Sequence, residues 1–288
     1  MSKFSLEVLA DNIRSMGIEK GDILLVRAAL RKIGDTEGRL GDIVINALLD
    51  VVGEEGTIMG LAFTKSFFLL KIDKNYIYTE ETPAVTGGLA KAMLKSPKSV
   101  RSKHPTNSYV AIGKHAHDLL NSHDENSSSF LPIENLIRLS GKMILIGCVC
   151  ESPGFTTVHL AQEKLGLSSK SILKGLVGVH YQKGSQVKLF KRKDFGGCSA
   201  GFYKFYSHYV RSGKLQCGRV GEAYSVAINA RDAFEIELEL IRKNKKYPLC
   251  DDPMCFSCRG TWWYNKHDMI KYYIQCLPKT IKKIIKKN

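Results

Sequence analysis

The chain contains no run approaching the ~18 apolar residues of a membrane span. Its first residues, Met1-Ser-Lys-Phe-Ser-Leu-Glu-Val-Leu9, hold no apolar stretch of signal-peptide length. Both absences lead to the expectation of a cytoplasmic protein. There is no internal repeat and no Pro-, Gly- or Ser-rich linker, so neither a solenoid nor a string of tethered modules is expected. No nucleic-acid-binding motif is present, and a nucleic-acid partner is not expected. Acidic residues are few beside basic ones, 28 against 43 in 288 residues, for a formal net charge of +15. Such a field draws anionic ligands and repels a polycation, although a genomic bias toward lysine gives the same sum.

What is present reads as a globular α/β protein, with 44% hydrophobic and 25% charged residues. Leu6, Leu9, Ile13 and Met16 recur at helical spacing, and Gly17 closes that helix. Segments 22–26, 57–63, 108–112 and 142–147 are short apolar runs of buried-strand type. Segments 41–52, 87–94 and a stretch from about Thr157 read as helices. Segment 174–190 alternates around Lys183-Gly184 as a hairpin does, and further helices are expected at 201–212 and 230–244. This order predicts one α/β domain over residues 1–244, with a central, mostly parallel sheet flanked by helices. A small Cys-rich extension with a basic tail follows over 245–288.

Two segments carry the chemistry. Arg101-Ser-Lys-His-Pro-Thr-Asn-Ser108 and Thr156-Thr-Val-His-Leu-Ala-Gln-Glu163 each set a histidine among hydroxyls. The second lies where an apolar strand gives way to a helix, the place where ligands gather in open α/β sheets. His159 is therefore the candidate general base, against the plainer reading of a helix-terminal imidazole with no task. Glu163, four residues on, shares its helix face and can orient it, whereas Gln162 points about 100° away from Glu163. Pro105 keeps His104 out of helical conformation and leaves Arg101, Ser102, Thr106 and Ser108 as donors, unless the segment is only a polar turn.

These two segments, in this order, combine with segments 20–34, 45–57, 82–90 and 218–223. Together they resemble the aminoglycoside 3-N-acetyltransferase family over roughly residues 5–235. The resemblance implies transfer of an acetyl group from acetyl-CoA to an amine without a covalent enzyme intermediate. It implies His159 as base, Glu163 or Asp194 orienting it, and His104 with Arg101, Ser102 and Ser108 holding cofactor or acceptor. Five residues, in three places, depart from the family pattern. Gln162 stands where Glu is usual, Asn107 replaces a second histidine, and Arg27-Ala28-Ala29 replaces His-Ser-Ser, where Arg27 and Arg31 can bind CoA phosphate instead. Given the +15 charge, the small-molecule acceptor is expected to be an amino sugar of surface polysaccharide synthesis. The alternatives are aminoglycoside resistance and a binding protein with a degraded site.

Eight cysteines in a chain with no export signal read as thiols or metal ligands rather than disulfides. Cys250-x4-Cys255-x2-Cys258 has zinc or iron–sulfur spacing, with His267 or Cys217 as candidate fourth ligand; buried or free thiols are the plainer account. The adjacent Trp262 and Trp263 read as packing of the extension, or as a stacking surface. Segment 279–288 sets Ile281, Ile284 and Ile285 among lysines, a pattern able to touch anionic membrane, or simply a solvated end.

Overall fold

The structure, a computed structural model, describes residues 3–277, so the expected basic tail at 279–288 lies outside the described residues. The first half contains strands β1 (Ile23–Ala28), β2 (Thr57–Leu61), β3 (Phe67–Phe68), β4 (Ile77–Tyr78), β5 (Val100–Arg101) and β6 (Tyr109–Gly113). The second half contains β7 (Lys142–Ile146), β8 (Val177–Lys183), β9 (Gln186–Lys191), β10 (Gln216–Val220) and β11 (Ala223–Asn229). The helices are α1 (Leu6–Arg14), α2 (Leu40–Val52), α3 (Gly88–Met93), α4 (Ala116–Leu120), α5 (Leu131–Arg138), α6 (Thr157–Lys164), α7 (Tyr206–Arg211), α8 (Ala230–Lys243) and α9 (Lys266–Cys276).

Seven strands form the central sheet in the order β10-β11-β7-β1-β2-β6-β5. The middle pairs β7-β1 and β1-β2 are parallel, and the outer pairs are antiparallel. Followed across the sheet, β10, β7, β1, β2 and β5 run one way and β11 and β6 run against them. Burial on both faces explains why β1 reads as an unbroken apolar run. Its Ile23 and Leu25 pack with residues of α4, α5, α6 and α8, while Leu24 and Val26 pack with α1, α2 and α3. The chain leaves β1 through α2 to reach β2 on one side and returns through α4 and α5 to β7 on the other. The carboxyl end of β1 is therefore a topological switch point.

Local sequence sets the ends of these elements. Ser5 caps α1 by accepting from the Val8 amide, and Gly53 ends α2 at φ 65°, a left-handed value that suits glycine. The hairpin expected around Lys183-Gly184 is β8-β9, but its sheet is larger than the pattern showed, because β3 and β4 also pair with β8. The helix expected at 201–212 begins as a 3-10 segment, Ser199–Phe205, before α7. No described helix is long and apolar enough to cross a membrane.

One buried carboxyl joins α8 to the rest. Glu237 is fully buried, and its Oε1 accepts from Thr157 Oγ1 at 2.9 Å and from the Tyr209 hydroxyl at 2.5 Å. Its Oε2 has no partner. Burial outweighs these two bonds and pushes its pKa up from 4.5 to about 8. In the unfolded chain the proton leaves near 4.5, while the folded protein keeps it to about 8, so this group's contribution to stability is lost as pH climbs through that window. Urea unfolding at pH 5 and pH 8 should show Glu237→Gln gaining on the wild type as pH rises; parallel pH dependence in the two proteins would refute this.

Candidate active site

A crevice of about 370 Å³ opens at the carboxyl ends of β1 and β2 and beside the loop that follows β7. Val26, Arg27, Ala28 and Ala29 form its floor, Leu61, Phe63, Leu89 and Ala90 one wall, and Ser152, Phe155, Thr156 and His159 the other; Ser199 and Phe202 close it. The parallel trio β7-β1-β2 brings these distant segments together.

His159, on α6, is held between rings. Phe130 stacks on it at 5.2 Å between centroids and Phe202 meets it edge-on at 4.8 Å. The backbone of Gly196 lies so close that a Cβ there would come within 2.6 Å of Nδ1. Nδ1 faces Gln162 Oε1 at 3.1 Å. An amide oxygen only accepts, so this contact places the ring proton on Nδ1 and leaves Nε2 with its lone pair. Burial is the largest cause of a pKa lowered to about 4; the Gln162 bond opposes it, and the charges of Arg27 and Arg192 add to it. The imidazole is neutral at pH 7.

The orienting group on His159 is thus Gln162, the residue in the family's glutamate position, and Glu163 makes no hydrogen bond to it. Glu163 is instead partly buried, its Oε2 unpartnered. Burial, ahead of the neighbouring charge of Asp194, pushes its carboxyl up to about 7 despite a hydrogen bond from Ser128. Asp194 does not reach His159 either; it accepts from the Ser129 amide at 2.8 Å and the Ser129 hydroxyl at 2.6 Å. It pins the turn that carries Phe130 and so acts on the imidazole only through that ring.

The residues of the His104 segment, expected to contact CoA or orient the acceptor, are not among those that line the crevice. Arg101 is spent on the fold: its guanidinium donates to Ser108 Oγ and to the carbonyls of Ala62, Glu80 and Thr82. Ser108 Oγ donates to Ala62 O at 2.6 Å, and Ser102 Oγ accepts from the Tyr109 amide at 2.8 Å. His104 is buried with Nδ1 accepting from the amides of Thr106 and Asn107 at 3.3 and 3.0 Å. Its ring stacks on that of His123 at 4.8 Å. Burial, reinforced by Arg192, lowers its pKa to about 3. Hydroxyls beside a histidine looked available because spacing does not reveal which carbonyls lie above them; His123, the stacking partner, carries no local motif and escaped notice.

Arg27 does reach the crevice, and its Nη atoms donate to the carbonyls of Gly154 and Ser152 at 2.8 and 2.9 Å and to the Ser152 hydroxyl. It fastens the loop that leads into α6. Arg31 is exposed and lies outside the lining. Ala28 and Ala29 present methyl groups to the crevice where hydroxyls would be donors.

A second cluster lies near the crevice. The Sγ atoms of Cys198, Cys250, Cys255 and Cys258 are all within 4.8 Å of one another. The fourth member is Cys198, which corrects both candidates from the sequence. His267 is exposed and faces Asp268, and Cys217 is an exposed residue of β10. Cys198 and Cys250 lie 52 positions apart, and no spacing rule joins them. Trp262 is buried and donates to Ser257 O, so it packs, while Trp263 is half-exposed.

Fold and site thus define an α/β protein with a neutral histidine in a crevice at a topological switch point. The chain belongs to the aminoglycoside 3-N-acetyltransferase family, whose sequence profile matches residues 25–242. It is 30% identical over 180 residues to aminoglycoside N(3)-acetyltransferase III of Salmonella sp., covering 57% of this chain and 62% of that protein. It is 29% identical over 178 residues to the SPbeta prophage-derived aminoglycoside N(3')-acetyltransferase-like protein YokD of Bacillus subtilis (strain 168), covering 54% and 64%. The chain thus spans about three fifths of the length of the curated relatives it matches. The fold matches a mutant of aminoglycoside acetyltransferase AAC(3)-IVa in complex with gentamicin, with TM-score 0.76 and 18% identity over 90% of this chain and 98% of that one. It also matches AAC-IIIb in a binary complex with CoASH, with TM-score 0.70 and 22% identity over 84% and 97%.

The neutral partner of His159 yields a direct test. A carboxylate in place of the amide would stabilise the imidazolium, so Gln162→Glu should raise the His159 pKa from about 4. NMR titration of the ring proton reads this shift, and coincident curves for variant and wild type would show that residue 162 does not hold Nδ1.

Proposed function

We propose that the protein transfers the acetyl group of acetyl-CoA to an amine of aminoglycoside type. The observation that carries this reading is the crevice itself, a largely apolar slot lined by His159, whose Nδ1 is taken up by Gln162. The amine nitrogen attacks the thioester carbonyl carbon while Nε2 takes a proton from that nitrogen. The tetrahedral intermediate then collapses, the carbon–sulfur bond breaks, and the departing thiolate takes the proton from the imidazolium. A pKa near 4 keeps the base form fully present at neutral pH. It also makes that base weak, chiefly because burial disfavours the imidazolium, and the Gln162 amide offsets this less than an anion would.

The apolar lining, Val26, Leu61, Leu89 and Phe155 among it, suits the thioester arm of CoA. The exposed Arg31 side chain suits its phosphates, whereas Arg27 is already engaged with loop carbonyls. The expected acceptor, an amino sugar of surface polysaccharide synthesis, is replaced. The relatives are aminoglycoside N(3)-acetyltransferases, and nothing among them points to polysaccharide. The charge that motivated the earlier expectation is a sum over the whole sequence, whereas among the residues that line the crevice Arg27 is the one lysine or arginine.

A degraded-site reading retains one observation in its favour, the methyl groups of Ala28 and Ala29 on the crevice floor. Calorimetric titration with acetyl-CoA, with desulfo-CoA and ATP as controls, separates the two. Saturable, CoA-selective binding followed by thiol release in the presence of an aminoglycoside is expected. No binding at millimolar ligand would turn the protein into a binding module. His159→Ala should lower kcat by about 10²–10⁴-fold with the fold intact by circular dichroism, and wild-type turnover in that variant would remove His159 from the reaction.

A further inference from the structure

The four thiols near the crevice are arranged for a single ion. In a tetrahedral zinc site with Zn–S of about 2.3 Å, neighbouring sulfurs stand about 3.8 Å apart. Here Cys198 and Cys258 Sγ are 3.3 Å apart, Cys198 and Cys255 3.6 Å, and all six separations fall within 4.8 Å. These distances are far too long for a disulfide bond of about 2.05 Å, and all four cysteines are free. They leave room for one ion but not for a cluster of irons and sulfides. Cys250 and Cys258 are buried, Cys198 and Cys255 partly so. The Cys255–Cys258 turn is closed by the Cys258 and Arg259 amides donating to the Cys255 carbonyl at 3.1 and 2.8 Å. The Arg259 guanidinium, bonded to the Cys250 carbonyl, brings a cation beside what would be an anionic cage.

We propose that Cys198, Cys250, Cys255 and Cys258 bind one zinc ion, and that this ion fastens the segment after residue 244 to the strap that closes the candidate active site. The strap passes residue by residue from base to cage. Gly196 lies on the His159 ring, Gly197 lies against Trp262 and the Cys258 sulfur, and Cys198 enters the cage. Ser199 and Phe202 then return to line the crevice. On its outer side the strap rests on the C-terminal segment: Gly201 is packed against the backbone of Pro248 to Cys250, and Lys204 donates to Leu249 O and Asp251 at 2.8 and 2.6 Å. Three ligands come from one side of this seam and one from the other, so the ion is a cross-link between them. Its effect on turnover rests on the acetyl-transfer reading; its presence does not.

The full chain, purified from zinc-supplied culture, is to be weighed by native mass spectrometry and assayed for metals by plasma emission. One zinc per chain is expected, released by a mercurial thiol reagent and lost in Cys255→Ser and Cys258→Ser but kept in Cys217→Ser and in His159→Ala. Protein with free thiols and far less than stoichiometric zinc, or with iron in its place, would overturn the assignment, and the mercurial release on wild-type protein decides even where a cysteine variant fails to fold. For the strap, metal-stripped protein should lose about 10²-fold in kcat/KM, the cost of a misplacement of about 1 Å, and regain it with zinc. Unchanged kcat/KM after stripping would leave a zinc site without a hold on the crevice.

Discussion

Phe130, Phe202 and the bare backbone of Gly196 pack against the partly buried His159 ring, and the partial loss of water in this seat governs most of what the crevice can do. Removing water from an imidazole disfavours its cation, and here no anion touches the ring to compensate. The result is a base always ready to accept a proton and poorly able to keep it. For the acetyl transfer proposed above that combination is workable, because there the proton would leave again with the thiolate in the same cycle. What the seat demands is geometric constancy, since one wall comes from the turn that carries Phe130 and the other two from the strap that runs from Gly196 to Phe202.

The acids near the site follow from the same lack of water. Glu163, with one unpartnered oxygen and Asp194 in its surroundings, holds its proton up to about 7. It therefore serves as a neutral neighbour over much of the acid range, and no Glu163 anion stands beside His159 to raise its pKa. Asp194 does its work at a distance, through the Ser129 amide and hydroxyl that place Phe130. The two carboxyls that sequence reasoning set beside the base are thus a packing element and an anchor, and the amide of Gln162 is the group in contact. Spacing along a helix identifies which residues share a face; it does not tell which of them the neighbouring loop has already claimed.

The fold was readable to the extent that burial is written in runs of residues. Strands β1, β2, β6 and β7 are apolar runs because both faces of the central sheet are covered, and α1, α2 and α8 show their buried stripe in the chain. Two-residue strands such as β3, β4 and β5 leave no periodicity to read, and their place is fixed by partners 9 to more than 100 positions away. The site divides in the same manner. His159 was legible from a strand-to-helix switch, whereas Gly196, Phe202 and Cys198 reach the crevice or its border only through a strap that no local pattern marks. Arg101 and Ser108 show the converse error, since donors that look idle in sequence are consumed by carbonyls of a neighbouring strand and loop.

Net charge misled for a related reason. A sum over 288 residues says nothing about where the charge acts, and exposed charges separated by more than a Debye length of about 8 Å at physiological salt are largely screened. The basic excess is partly a feature of the last ten residues, and Arg27, the one arginine lining the crevice, has its donors turned into loop carbonyls. The lining itself offers methyls, rings and the His159 imidazole, with Arg27 as its one lysine or arginine. Substrate choice at such a site rests on the shape of the walls and the few polar groups left unspent, which are set by the loop after β7 and by the strap that ends in the thiol cage.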